Sequence, residues 1–157
     1  MGRQHFADGR AEAGFSMLEI LIVLVTTAIV IGLAQPSLNS LVQRNQVRRA
    51  LDRLAGDVAF ARMHAVQEGR RTAIHIDGDG IYTIDTMSTG GTWGTVRTVD
   101  LRSEVPGLTL SQGDQRFEFD SRGILIDMGE SAVVAMKRGV YGDSMFISPA
   151  GRTYRDF

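Results

Sequence analysis

The sequence GFSMLE, residues 14–19, is followed directly by ILIVLVTTAIVIGLA, residues 20–34. The second stretch has no charged residue. With the residues before it, it forms a run of about 20 mostly apolar residues, the length of a helix that crosses a bilayer. Glu19 lies inside this run. A charged carboxylate is costly in hydrocarbon, so Glu19 needs a partner, a proton or a function.

The order of features around the apolar run leaves several interpretations open. An ordinary signal peptide is cut after its apolar segment, and GLAQPS, residues 32–37, offers small residues at that place. An uncleaved signal anchor also fits. A third interpretation depends on Gly14, because this small residue precedes the apolar run and closes a polar leader whose formal charges cancel.

Length and composition limit the other possibilities. The chain has 157 residues and a formal net charge of -1, which suits one modest globular domain with an appendage. It has no cysteine, which excludes disulfides, thiolate metal sites and a cysteine nucleophile. The near-neutral charge gives no global reason for nucleic-acid binding, so such a function needs a local basic patch.

The helix is predicted to continue beyond the apolar run. Pro36 removes the backbone bond to the carbonyl of Gly32, which predicts a kink or a loosened turn, and a helix end at the membrane surface is the alternative. Continuation is favoured because one apolar stripe follows at steps of three and four residues, formed by Val47, Leu51, Leu54, Val58, Ala61 and Ala65.

The other faces of this helix carry charges. Arg48 with Asp52, and Arg53 with Asp57, are i,i+4 pairs that we place on the solvent side. Gly69 is a plausible C-terminal cap. The arginines that follow the apolar run either contact phospholipid headgroups or form a solvated face.

From residue 71 onward the apolar pattern has a period of two. TAIHID and IYTIDT flank a Gly-Asp-Gly turn and predict a hairpin. Residues 88–94, STGGTWG, are predicted to form a loop. The later strand candidates are GTVRTVDL, GLTLS, RFEFD, ILIDM, AVVAMKR and SMFIS. The predicted fold class is α+β, with one long N-terminal helix packed on a small antiparallel sheet system.

The sequence shows no catalytic constellation. His5 is in the leader, and neither His64 nor His75 has a carboxylate at a catalytic spacing. Asp77 and Asp79 suit a turn as well as they suit a Ca²⁺ loop. We therefore predict no enzyme activity, catalytic residue, metal, cofactor or small-molecule substrate. Trp93 is interpreted either as a cover on the sheet or as a surface that stacks on a base or a protein partner.

The N-terminal order of polar leader, Gly14, Phe15, Glu19 and long apolar helix resembles the type IV prepilin signal. The resemblance implies that a prepilin peptidase cuts between Gly14 and Phe15 on the cytoplasmic side, and that Phe15 is then N-methylated. It implies that Glu19, the fifth mature residue, pairs with the N-terminal amine of a neighbouring subunit. Pro36 also stands where type IV pilins have a proline.

Two later stretches resemble the GspH/FimT family of minor pilins and pseudopilins. ALDRLAGDVAFARMHAVQEGRRTAIHID resembles its helix-to-strand segment, FEFDSRGILID its strand and turn, and ISPAGRTYRDF its closing strand. The matching residues are Leu51, Leu54, Ala61, Arg62, Ala65, Phe119, Gly123, Gly151 and Arg152.

This resemblance implies a pilin-like fold in three segments. These are a cleaved leader at 1–14, a transmembrane and filament-core helix at 15–36, and a periplasmic domain at 37–157. The periplasmic domain consists of an amphipathic helix at 37–68 and a β region at 71–157. The chain is then a single-pass inner-membrane protein whose partners are the prepilin peptidase, membrane lipid and other pilins or pseudopilins.

The function that the resemblance implies is structural. A minor pilin or pseudopilin joins the tip or initiating complex of a type IV pilus or of a type II secretion pseudopilus. The first alternative is a FimT-type pilin that binds DNA during uptake. A second alternative is a membrane anchor that carries an unrelated periplasmic sensor domain.

The DNA-binding alternative depends on basic residues near the C-terminus. The candidates are Lys137, Arg138, Arg152 and Arg155, which form a phosphate-binding patch if their strands are neighbours. In the FimT branch a Gly-Arg-x-Arg element is associated with DNA, but here one extra residue precedes the second Arg. In a strand, this shift moves that Arg to the opposite face. A charged sheet edge that discourages aggregation is the other interpretation.

Overall fold

The computed structural model describes residues 15–110, 113–126 and 132–155, without the side chains of residues 34–37. Gly14 therefore lies outside the described residues. The chain divides into one unit that ends at Leu38 and a second that begins at Asn39. Helix α1, Met17–Glu68, contributes residues to both units.

The part of α1 in the first unit is an exposed apolar helix. All of its described large apolar side chains between residues 15 and 33 are more than half exposed. The Thr26 hydroxyl donates to the Ile22 carbonyl over 2.9 Å, and the Thr27 hydroxyl donates to the Val23 carbonyl over 2.7 Å. The helix therefore satisfies its own hydroxyl groups, as a lipid environment requires. This stretch is long and apolar enough to cross a membrane.

Helix α1 includes Pro36 within its bounds. The predicted continuation of the helix beyond the apolar run is therefore confirmed, and a helix end at Pro36 is not what the structure shows.

Among its described residues, the second unit contains nine strands and one short helix besides its part of α1. In chain order they are β1 Thr72–Ile76, β2 Ile81–Met87, β3 Trp93–Asp100, α2 Leu101–Glu104, β4 Leu108–Leu110, β5 Gln115–Phe119, β6 Leu125–Ile126, β7 Ala132–Arg138, β8 Tyr141–Ile147 and β9 Thr153–Arg155. Each of the eight strand candidates from the sequence overlaps one of the strands β1 to β8, although Ser111 of GLTLS and Asp127 and Met128 of ILIDM lie outside the described residues. The α+β fold class, a long helix packed with antiparallel strands, is confirmed.

The strands form two sheets rather than one. The five-stranded sheet has the order β3-β2-β1-β5-β6, and the four-stranded sheet has the order β4-β7-β8-β9. All pairings are antiparallel. The β8–β9 turn joins the sheets, because the amide of Leu125, the first residue of β6, donates to the Pro149 carbonyl over 2.9 Å.

One core lies between α1 and both sheets. The predicted stripe from Val47 to Ala65 is confirmed, because all six of its side chains are fully buried. The sheets contribute the alternating inward residues of their strands, among them Ile74, Ile76, Tyr82, Ile84, Phe117, Phe119, Val134, Met136, Met145 and Ile147.

Helix α2 and the start of β3 differ from the sequence prediction. The Asp100 carboxylate accepts from the amides of Arg102 and Ser103, so the strand predicted to include Leu101 ends in a capped helical turn. The predicted loop at residues 88–94 is shorter, because β3 already begins at Trp93.

The β1–β2 hairpin shows what Asp77 and Asp79 do locally. The Asp79 amide donates to Asp77 Oδ1 over 3.1 Å, and the Gly80 amide donates to the Asp77 carbonyl over 2.9 Å. Gly80 has a φ of 88°, a conformation that favours glycine. These contacts support the interpretation of this stretch as a turn.

Candidate functional site

Glu19 lies in the first turn of α1, among apolar side chains. Its backbone amide donates to the Ser16 carbonyl over 3.0 Å, and the Ser16 hydroxyl accepts from the Leu18 amide over 3.3 Å. Ser16 thus caps the helix. The Glu19 side chain is exposed in a groove of about 320 Å³ that Phe15, Ile20, Val23 and Leu24 also line. Glu19 is the one charged residue between positions 15 and 43.

The four basic residues of the DNA-binding alternative occupy different places. Lys137 is exposed and pairs with Gly142 of β8, whereas Arg152 is exposed just before β9, where its carbonyl accepts from the Ser148 amide. Six residue steps, from Gly142 in β8 to Ser148 just after it, separate these two rows, or about 20 Å at 3.3 Å per residue. Lys137 and Arg152 therefore lie at opposite ends of the four-stranded sheet.

Arg155 lies on the inward side of its sheet and contacts α1. Its guanidinium pairs with Asp52 and donates to the Arg48 carbonyl over 3.0 Å, leaving 23% of the side chain exposed. Asp52, which the sequence analysis pairs with Arg48, is thus paired with a residue of β9. The structure does not gather Lys137, Arg152 and Arg155 into one patch, and their DNA-binding role stays a prediction.

The Arg62 side chain lies between the segments whose sequences resemble the GspH/FimT family. Gly123 and Gly151, with φ of 76° and 69°, lie against its side chain. A Cβ atom on Gly123 would lie 3.0 Å from Arg62 Cγ, and one on Gly151 would lie 2.8 Å from Arg62 Cδ and 3.0 Å from Phe119 Cε1. We call these four residues, Arg62, Phe119, Gly123 and Gly151, the arginine junction. Both turns favour glycine, because φ is positive at each position and a Cβ atom there would crowd the Arg62 side chain.

A shallow groove of about 310 Å³ borders the arginine junction on the surface of α1. Met63 and Val66 line it and are about half exposed. Among the described residues that line the groove, Arg62 has the one titratable side chain, and its contacts position the two turns on the helix.

Asp57 is the center of a buried polar network, and its predicted place on the solvent side is wrong. Only 7% of its side chain is exposed. Its carboxylate accepts from the Tyr82 hydroxyl over 2.5 Å and from Arg97 Nη1 over 2.6 Å, while Arg53 Nε lies at 3.7 Å. Burial raises the pKa of Tyr82 well above its ordinary value, and the hydrogen bond to Asp57 adds to this effect.

A helical spacing in the sequence could have revealed the burial of Asp57. Asp57 follows Ala50 by seven residues, and both lie beside the apolar stripe and are buried. A carboxylate at such a position needs partners, but its partners come from β2 and β3, and Arg97 also covers the Phe60 ring at 4.3 Å. No local sequence pattern predicts that Tyr82 or Arg97 is a partner of Asp57.

The histidines and Trp93 have ordinary surroundings. His64 Nδ1 lies 3.2 Å from the Thr86 hydroxyl, and His75 is exposed on the outer face of β1. The Trp93 ring lies under the Arg116 guanidinium at 4.3 Å, which supports its interpretation as a cover on the sheet. Across residues 15–110, 113–126 and 132–155, no group of three or more His, Asp or Glu side chains is arranged to hold a metal.

The fold is similar to that of solved minor pilins and pseudopilins. The type IV minor pilin FimU of Pseudomonas aeruginosa superposes with a TM-score of 0.59 at 22% identity, over 74% of this chain and 92% of FimU. The minor pseudopilin EpsH of the Vibrio cholerae type II secretion system superposes with a TM-score of 0.56 at 10% identity, over 71% of this chain and 96% of EpsH. No protein-family model matches the sequence, and no curated protein gives a significant match.

Proposed function

We propose that this chain is a structural minor pilin or minor pseudopilin of the GspH/FimT type. One observation carries the proposal: a single helix begins as an exposed apolar segment behind Gly14 and ends as the core helix of a pilin-like domain. A plain membrane anchor explains the first half of α1, but it does not explain why the second half packs in a domain similar to FimU and EpsH.

In this proposal the chain is made as a prepilin in the inner membrane, with its C-terminal domain in the periplasm. A prepilin peptidase cuts after Gly14, and Phe15 becomes the methylated N-terminus. The subunit then joins other pilins or pseudopilins in the tip or initiating complex of a type IV pilus or a type II secretion pseudopilus. It acts through protein contacts and not as an enzyme.

Glu19 supplies the assembly chemistry. In the isolated subunit its carboxylate stands among Phe15, Ile20, Val23 and Leu24 without a cation on the same helical segment. The amine of a neighbouring processed subunit provides that cation. Pairing removes the cost of a lone charge in lipid, so the filament is favoured over the free membrane-bound subunit. Pro36 loosens the helix beyond this contact and lets it adjust to its neighbours.

The first experiment measures the N-terminus and mass of the protein from membranes, with and without a prepilin peptidase. We expect a chain that starts at N-methylated Phe15 only when the peptidase is present. Gly14→Val should abolish the cut, and Gly9→Val, a matched change within the leader, should leave it intact. A mature chain that starts at Met1, or one cut after Ala34, would overturn the proposal.

A further inference from the structure

The β7–β8 turn presents an exposed apolar residue between basic ones. We call residues 137–140, that is Lys137, Arg138, Gly139 and Val140, the hairpin tip. Val140 is 87% exposed, the highest value among the described large apolar side chains of the second unit. Lys137 is exposed and Arg138 is partly exposed. A lone apolar residue at the end of a basic turn is the pattern of a surface that enters a lipid interface.

The hairpin tip is held against the N-terminal end of the second unit. Gly139 has a φ of 57°, and a Cβ atom there would lie only 2.7 Å from Gln43 Oε1. Beside it, the Arg44 guanidinium lies 5.9 Å from the center of the Tyr141 ring. The tip is therefore packed on the few residues of α1 that directly follow the apolar run.

The hairpin tip packs on a residue that is close to the apolar run in the sequence. Gln43 is nine residues beyond Ala34, and nine residues reach at most about 32 Å even when fully extended. A bilayer that the apolar run crosses is therefore within the reach of the chain from the residue on which the tip packs.

Positive charge predominates around the hairpin tip. Among the described residues, Lys137, Arg138 and Arg44 have no ion-pair partner, and Arg138 Nη1 is buried without a hydrogen-bond partner. One carboxylate, that of Asp143, lines the same groove as Lys137 and accepts from the Tyr141 hydroxyl over 3.3 Å. With three cations beside this one carboxylate, the hairpin tip is complementary to an anionic surface.

We infer that the hairpin tip docks on anionic phospholipid headgroups of the membrane that holds the apolar helix, with Val140 entering the interface. This inference rests on the proposed membrane anchor. It assigns Lys137 and Arg138 to lipid rather than to DNA. Docking positions the pilin-like domain before assembly, and the subunit leaves this contact when it enters a filament.

The test uses the absence of cysteine from the chain. The full-length protein is placed in nanodiscs of phosphatidylcholine alone, or of equal parts phosphatidylcholine and phosphatidylglycerol. A fluorophore is attached at Val140→Cys, or at Arg152→Cys at the opposite end of the sheet, and a headgroup-linked nitroxide quenches it. We expect strong quenching at position 140 only when phosphatidylglycerol is present. Lys137→Glu should weaken the docking equilibrium by more than fivefold, since one Lys or Arg near an anionic surface contributes about fivefold.

Each other outcome decides against the inference. If quenching at position 140 depends neither on phosphatidylglycerol nor on Lys137→Glu, the tip is near the membrane only because the chain is tethered there. Equal quenching at positions 140 and 152 would show no fixed orientation. Quenching that is unaffected by Lys137→Glu, while the same change lowers affinity for duplex DNA, would assign the tip to nucleic acid. A chain that does not enter nanodiscs at all would refute the membrane anchor of the proposed function instead.

Discussion

The Tyr82 hydroxyl on β2 donates to Asp57 Oδ2 on α1 over 2.5 Å, inside the core. Because Arg97 also pairs with this carboxylate, one acidic residue of the helix fixes two strands of the five-stranded sheet. A buried carboxylate of this kind gives an apolar helix–sheet contact a unique alignment, since any shift along the helix leaves the charge without partners.

Asp57→Ala should lower the free energy of unfolding by about 2 kcal/mol, because it leaves the buried Tyr82 hydroxyl unsatisfied, whereas Arg97, whose side chain is 42% exposed, stays partly solvated. Arg53→Ala should cost less than about 1 kcal/mol, since Arg53 is nearly half exposed and lies at 3.7 Å. Urea unfolding of the full chain in detergent, followed by the fluorescence of its single tryptophan, measures both. Equal losses for the two variants would contradict the central role of Asp57.

Gly151→Ala tests the arginine junction. The change forces a side chain into a positive φ and places a methyl group 2.8 Å from Arg62 Cδ. Gly91→Ala is the matched control, because Gly91 has a φ of 78° but no atom within 4 Å of its Cβ position. We expect the control to cost about 1 kcal/mol from backbone strain alone and Gly151→Ala to cost at least about 1 kcal/mol more from overpacking. If Gly151→Ala and Gly91→Ala have similar midpoints in thermal unfolding, the side chains of the arginine junction can move to accommodate the added methyl group.

Replacement of Arg155 should lower the stability of the fold, whereas replacement of Arg152 should not. Arg155→Ala should lower stability by about 1 kcal/mol, because its pair with the exposed Asp52 is only partly shielded from solvent. Arg152→Ala should leave stability unchanged. Neither change should alter the salt dependence of any DNA binding if the chain is purely structural. A drop in the salt slope by about one for both variants would instead favour the DNA-binding alternative.

Glu19→Gln should reduce co-assembly with neighbouring pilins while the protein still enters the membrane. A neutral side chain no longer attracts the amine of the next subunit, and losing such a pair in lipid weakens association by at least about tenfold. Thr26→Val is the control, since the Thr26 hydroxyl bonds only to its own helix. Cross-linking of membranes from cells that express the other filament subunits measures the effect. If Glu19→Gln cross-links to the other subunits as strongly as the wild type does, Glu19 has no role in assembly.

Acid should weaken the β5–β6 turn through Asp120. Its carboxylate accepts from the amides of Ile124 and Arg122, each over 2.9 Å, and the bond from Ile124 does most to lower the pKa of Asp120. A lowered pKa in the folded state stabilises the fold above the ordinary Asp value of about 3.9. That stability is lost as the pH falls through the folded pKa.

The comparison that isolates Asp120 is between the wild type and Asp120→Asn at several pH values. The difference in unfolding midpoint should be largest at neutral pH and should shrink below about pH 4, as the wild-type carboxyl becomes protonated. A difference that is constant over this range would mean that the charge of Asp120 does not stabilise the turn.

Local patterns predicted much of the fold. The steps of three and four from Val47 to Ala65 identified the buried face of α1, and turn residues such as Gly80 separated the strands correctly. The split into two sheets was not predicted, because the pairing of β1 with β5 joins residues more than 35 positions apart. Alternation within a strand says which face is buried but does not name the neighbouring strand.

The residues of the candidate site divide in the same way, into those that the local sequence predicted and those that it did not. The exposed apolar helix and the place of Glu19 were evident from residues 14–34. The partners of Asp57 and Arg155 were not, because Arg97 lies 40 positions from Asp57 and Arg155 lies 103 positions from Asp52. The predicted i,i+4 pair of Arg53 with Asp57 is present, and the fold adds Arg97 from a distant strand. For Asp52 the fold supplies Arg155 as the partner instead of Arg48.

The fully buried stripe of α1 extends from Val47 to Ala65, which is about 27 Å of helix at 1.5 Å per residue. A force applied along the axis of this stretch of the helix acts along the line of these contacts. They are therefore loaded together, in shear, rather than opened one after another. The contacts between this stretch and the sheets should thus resist tension along the helix axis better than their thermal stability alone suggests.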